Sequence, residues 1–100
     1  MTIRVVIRKG AKQDIKAARA WYDAQRPGLG TEFLDAVAHA VGRMAAGPLR
    51  YPIVEANAHR LIMPRFPYSI YFRLRDDEVR IIAVLHQHRD PDDLRRSLAR

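Results

Sequence analysis

Residues 65–91, RFPYSIYFRLRDDEVRIIAVLHQHRDP, decide the fold. Two runs rich in β-branched and aromatic residues flank Arg75-Asp76-Asp77-Glu78, a pattern that predicts a β-hairpin. In the first run, Pro67–Leu74, alternation places Tyr68, Ile70, Phe72 and Leu74 on one face, in line with Phe66 before them. Pro67, Ser69, Tyr71 and Arg73 take the other. In the second, Val79–Gln87, Val79, Ile81, Ala83 and Leu85 share a face, and Arg80, Ile82, Val84, His86 and the following His88 share the opposite one. Both faces of this second strand are apolar at its middle. A strand of that kind belongs at the centre of a sheet, with cover on each side.

The flanks extend the pattern. Asp90-Pro91-Asp92-Asp93 reads as a helix start, with a capping acid, proline at the first helical position and two more acids in the first turn. Leu94 and Leu98, one turn apart, would dock this last helix. Upstream, Thr2–Arg8 reads as a strand with Ile3, Val5 and Ile7 inward, broken by Lys9-Gly10. A helix is expected from Ala11 to about Arg26, with Ile15, Ala18 and Trp21/Tyr22 at helical spacing. After Pro27-Gly28-Leu29-Gly30, a second helix is expected from Thr31 to about Ala46, or a turn earlier from Gly28 or Leu29. Thr31 is the expected cap, and Phe33, Leu34, Val37, Val41 and Met44 the buried stripe. Gly47-Pro48 ends it. Short strands follow at Tyr51–Val54 and His59–Met63. The order β-α-α-β-β-β-α predicts an α+β fold: an N-terminal strand, an antiparallel helical hairpin on one face of a mostly antiparallel twisted sheet, and a C-terminal helix.

One hundred residues suit a single domain spanning 1–100. The 48% apolar content supports one modest core. There is no cysteine, which excludes disulfide and thiolate chemistry and suits a reducing cytoplasm. No apolar run approaches the ~20 residues of a transmembrane helix, so no membrane role is expected. The formal charge is +7, carried mostly by arginine. That balance points to polyanionic partners, either nucleic acid or an acidic protein segment, with arginine suited to bidentate contacts. On the second sheet face, Ile82, Val84 and Ile62 need cover that Leu94 and Leu98 supply only in part. An apolar strip rimmed by Arg60, Arg73, Arg80 and Arg89 would fit an amphipathic acidic peptide, with Tyr71 beside Arg73.

Several elements taken together carry a resemblance: Asp14-Ile15 with Trp21-Tyr22, Pro27-Gly28-Leu29-Gly30 with Phe33-Leu34, Pro48 with Tyr51-Pro52, Arg65-Phe66-Pro67-Tyr68 with Tyr71, and Ala83-Val84 with His86, His88-Arg89 and Pro91. In order and spacing they resemble the RelE/ParE superfamily of toxins from type II toxin–antitoxin pairs, with the ParE-like branch favoured. The resemblance implies a small basic cytoplasmic toxin wrapped and neutralised by a cognate acidic antitoxin. For a ParE-like member it implies inhibition of DNA gyrase without catalysis. For a RelE-like member it implies metal-independent cleavage of mRNA on the ribosome. A family member that only binds its partner, without toxicity, is a third reading.

These readings call on different residues. The antitoxin groove would be formed by Arg60, Ile62, Tyr71, Arg73, Arg80, Ile82, Val84 and Arg89. The arginine-rich last helix, through Leu94, Arg95, Arg96, Leu98 and Arg100, would contact gyrase. A ribonuclease needs a base, an acid and cations around the phosphate. Arg65, Arg80, His86, His88 and Arg89 would supply them, histidine being able to move protons near neutral pH. Polar residues at strand ends are equally expected where a sheet meets water. His86-x-His88 offers two metal ligands and would need a third from His39, His59 or an acid. No metal or cofactor is expected. The Asp76-Asp77-Glu78 run reads as solvated turn charge.

Overall fold

A computed structural model describes residues 3–100. Its elements are β1 (Arg4–Ile7), α1 (Lys9–Gln25), α2 (Leu29–Ala46), a 3-10 turn (Pro48–Arg50), β2 (Ile53–Glu55), β3 (Ala58–Ile62), β4 (Tyr68–Arg75), β5 (Glu78–His86) and α3 (Pro91–Leu98). The sheet order is β1-β5-β4-β3-β2. All pairings are antiparallel except β1 with β5, which is parallel. The α+β architecture expected from the sequence is therefore present, and β5 lies between β1 and β4 as its double-sided hydrophobicity requires. Thr2, the expected first residue of β1, lies outside the described residues.

The front layer is the helical hairpin. Ala11, Ala18 and Tyr22 of α1 and Phe33, Val37, Ala40 and Met44 of α2 pack on Leu61, Ile70, Phe72, Val79 and Ile81 of the sheet. Tyr22, Phe33, Phe66 and Tyr68 form an aromatic cluster with centroid separations of 4.9–6.1 Å. Two local details differ from the sequence reading. The first strand does end before Lys9-Gly10, but these two residues already belong to α1, which begins before Ala11. Thr31 lies inside α2, whose N-cap is Gly28 at φ 90°, a left-handed conformation that glycine adopts without a Cβ penalty.

The back layer is smaller. Leu98 of α3, with Leu94 packed beside it, covers Ala58, Tyr71, Ile82, Ala83 and Leu85. Arg73 ties the helix down, donating to the carbonyl oxygens of Leu98 and Ala56, each at 2.8 Å. Arg100 closes the far side through Asp14 at 2.7 Å. Asp90 caps α3 by accepting from the Asp92 N–H at 2.7 Å.

One correction concerns β5. The β4–β5 register runs Tyr71↔Ala83 and then Phe72↔Ile81, so Ile82 is an extra residue, a β-bulge. The bulge exchanges the two faces of the strand. Val79 and Ile81 face the helical hairpin, but beyond the bulge it is Val84 that does so, while Ile82, Ala83 and Leu85 face α3. Strict alternation had placed Val84 beside Ile82.

Candidate functional site

The bulge sends the end of β5 toward α1. Helical spacing gathers Asp14, Ala17, Ala18 and Trp21 along the facing side of α1. Between them runs a groove in two parts. One, of about 480 Å³, is lined by Trp21, Tyr22, Pro67, Tyr68 and His86. The other, of about 230 Å³, is lined by Asp14, Ala17, Ala18, Trp21, Tyr68, Val84 and Arg89. Trp21 and Tyr68 border both, so the two are one continuous feature. Trp21 is 57% exposed, although its neighbour Tyr22 is buried. The Trp21 ring meets Tyr22 edge to face at 5.1 Å, and the Tyr68 ring meets His86 edge to face at 5.3 Å.

The groove's polar groups are specifically disposed. The Asp14 carboxylate is already engaged by Arg100, at 2.7 and 3.0 Å, and accepts the Val84 N–H at 3.0 Å. Arg89 is exposed and forms no ion pair among the described residues. Burial pushes the Tyr68 phenol above its ordinary value; the Arg89 cation opposes that rise and Asp14 adds to it. Burial, then the nearby Tyr68, raises Tyr22 as well. Both phenols are thus protonated donors at neutral pH. The His88 N–H donates to His86 Nδ1 at 3.1 Å, so the neutral imidazole carries its proton on Nε2. The two imidazole rings are 5.4 Å apart, although His88 lies in the turn after β5 and not on the strand.

The residues named for ribonuclease chemistry do not all converge. The His86 and His88 rings lie side by side, and Arg89 lines the adjoining part of the groove. Arg65 is drawn to α2, with its guanidinium 2.5 Å from Glu32, and it also stands over the Phe66 ring at 5.0 Å. Arg80 sits near the hairpin turn, opposite Arg73, and pairs with Glu78 at 2.5 Å. Hydrogen bonds from Arg65 and then Arg26 hold the Glu32 carboxyl below its ordinary value. Arg80 and then Arg4 do the same for Glu78. His59, considered as a third metal ligand, is buried and stacked on Phe72 at 5.0 Å, with Nδ1 2.7 Å from the Tyr51 carbonyl oxygen. His39 is exposed on α2. Among the described residues no three His, Cys, Asp or Glu side chains are grouped to hold a metal ion.

The expected peptide groove needs correcting too. Ile82 is 5% exposed and Val84 1%, and Tyr71 is buried, so the chain itself covers all three. The reason is twofold: the bulge moves Val84 to the α1 side, and α3 sits over Tyr71 and Ile82. Arg73 and Arg80 are spent on internal partners. What remains open is Ile62, 56% exposed, the exposed Arg89, and half-buried Arg60, whose Nε is buried with no hydrogen-bond partner among the described residues. Leu49, Ile53 and Val54, at the β2 side of the sheet, are also exposed and escaped the sequence reading. On α3, Leu98 is fully buried and Leu94 is half-buried, and just beyond the helix Arg100 is held by Asp14. Leu94 and Leu98 pack inward, whereas Arg100 is exposed with its guanidinium engaged by Asp14. Arg95 and Arg96 face outward, paired with Asp92 and Asp93.

No helix among the described residues is long and apolar enough to cross a membrane. No curated protein matches the chain. Solved structures do, among them "Chromosomal ParDE TA system from P. aeruginosa", at 17% identity and a TM-score of 0.78 over 85% of this chain and 96% of that one. At this identity the likeness concerns the fold. A family model described as "ParE toxin of type II toxin-antitoxin system, parDE" matches residues 5–91. With that match spanning most of its length, the chain belongs to the ParE toxin family of type II toxin–antitoxin systems.

Proposed function

We propose that this protein is a noncatalytic cytoplasmic toxin that stalls DNA gyrase with its DNA broken, and that a cognate acidic antitoxin silences it. The family match over residues 5–91 carries the reading. The ion pairing of two arginines adds support. Arg65 and Arg80, the cations a ribonuclease would turn on phosphate, are neutralised by Glu32 and Glu78.

The antitoxin surface is proposed at the open edge of the sheet. There Ile53, Val54 and Ile62 present apolar side chains, and the outer edge of β2 offers backbone groups for strand addition. An acidic segment laid there would bring a carboxylate to Arg60, whose Nε lacks a partner among the described residues. For the gyrase contact, the outward residues of α3 are Arg95 and Arg96.

A RelE-like ribonuclease is the alternative, favoured by the contact between His86 and His88 beside unpaired Arg89. A supercoiling assay on the purified chain, run beside ribosome-bound mRNA, separates the readings. Trapped DNA breaks with intact mRNA are expected. Cleaved mRNA with unaffected gyrase would move the function to His86, His88 and Arg89; silence in both assays would leave a partner-binding protein without toxicity.

A further inference from the structure

We infer that the groove between α1 and the ends of β4 and β5 is a binding site for an unpaired nucleobase of a single-stranded nucleic acid, with the base against Trp21 and the adjoining phosphate at Arg89. This inference does not rest on gyrase as the target.

Four observations carry it. The groove is lined by aromatic rings: Trp21 on α1, and Tyr68 and His86 on the sheet. Its floor on the α1 side is small, formed by Ala17 and Ala18, which leaves room for a planar group. Trp21 is more than half exposed, an unusual state for the largest apolar side chain and one that leaves a face free for stacking. The charge fits an anion, because Arg89 has no ion-pair partner among the described residues while Asp14, the one acid lining the groove, is neutralised by Arg100.

The polar groups choose among anionic ligands. The protonated Tyr68 hydroxyl and the His86 ring lie beside the rings and match the carbonyl and ring-nitrogen acceptors at the edge of a base. An aliphatic anchor of an acidic peptide would leave these groups unpaired. A base inside a duplex cannot enter, since its faces are already stacked. The ligand is therefore single-stranded, and its base could come from cleaved DNA or from RNA.

Trp21 is the chain's single tryptophan, so its fluorescence reports on the site without a label. Titration with a short oligothymidylate and with its ribonucleotide counterpart, at low salt, is expected to quench Trp21 saturably. The tighter of the two identifies the source. With a dye-labelled oligonucleotide, Trp21→Ala is expected to weaken binding about 5- to 150-fold, the range for loss of one base–aromatic stack, and Trp21→Phe to recover part of that loss. Arg89→Ala is expected to lower the salt slope by about 0.7, the value for one phosphate contact on a single strand. Both sites of substitution are exposed, and circular dichroism checks that the fold is kept. No quenching by either oligonucleotide, or unchanged affinity in Trp21→Ala, would overturn the inference. Equal quenching by polyglutamate would overturn it as well, and would assign the groove to an acidic peptide.

Discussion

Glu78 receives two arginines, Arg80 at 2.5 Å and Arg4 at 2.6 Å, and so fastens the β1 edge to the centre of the sheet. Its pKa is lowered below the ordinary value of 4.5. A carboxyl lowered in the folded state contributes stability that is complete above its unfolded value and lost as pH falls toward its folded one. Glu78→Gln is therefore expected to melt below the wild type at neutral pH, with the difference closing as the solution is acidified below the ordinary carboxylate range. A difference independent of pH would show that the arginines act by packing alone. Leu98 is a purely apolar case. It is 1% exposed at the centre of the back layer, so Leu98→Ala should cost about 2–5 kcal/mol in urea unfolding, the range for buried leucine truncations. At this scale the sequence is informative about core side chains, but it sets Trp21 with Tyr22 on the packed stripe, and Trp21 is 57% exposed. Trp21 and Tyr22 are adjacent on a helix whose apolar stripe could include either, and it is Tyr22 that packs against Phe33, Phe66 and Tyr68.

The helical hairpin depends on close approach as well as on its apolar stripes. Gly30 sits where a Cβ would come 2.6 Å from the Arg19 carbonyl oxygen and from the Asp23 side chain, and its N–H donates to Asp23 Oδ1 at 2.7 Å. Alanine has the higher helix propensity, worth up to ~1 kcal/mol, but Gly30→Ala is expected to lower the melting temperature, because overpacking costs typically about 1–3 kcal/mol. A stabilised variant would mean that α1 and α2 can move apart freely. Strand identity was legible throughout the hairpin, and the faces of β4 follow its alternation. The bulge in β5 was not legible. Ile81, Ile82, Ala83, Val84 and Leu85 are apolar in both phases, so a slip of one residue leaves no trace in the hydropathy pattern. That slip rearranges the site: it sends Val84 and His86 to α1, where the groove forms, and removes Val84 from the surface assigned to a partner.

For the whole molecule, the two sheet faces are closed to very different extents. Two long helices cover the front, and one helix of 8 residues covers the back. The short cover leaves Ile62 open beyond it. Ile62→Asp, at an exposed site, is expected to leave thermal stability within about 0.5 kcal/mol of wild type, as for surface changes generally. It should also abolish co-purification with the product of an adjacent antitoxin gene, and retained co-purification would place the antitoxin elsewhere. The fold class was readable from the order of strands and helices. The open surface was not, because it depends on how far α3 reaches. The parallel pairing of β1 with β5 has a further consequence, for synthesis. Arg4 pairs with Glu78 and Ile7 with Ile81, so the first strand waits for nearly the last. A ribosome that has reached only the β4–β5 turn has made both long helices but not the strand that joins β1 to the rest of the sheet. Chains ending before residue 78 should be digested rapidly by protease while the full chain resists. The sheet then closes only once β5 has left the ribosome, and a message terminated before residue 78 yields a fragment in which β1 has no partner strand.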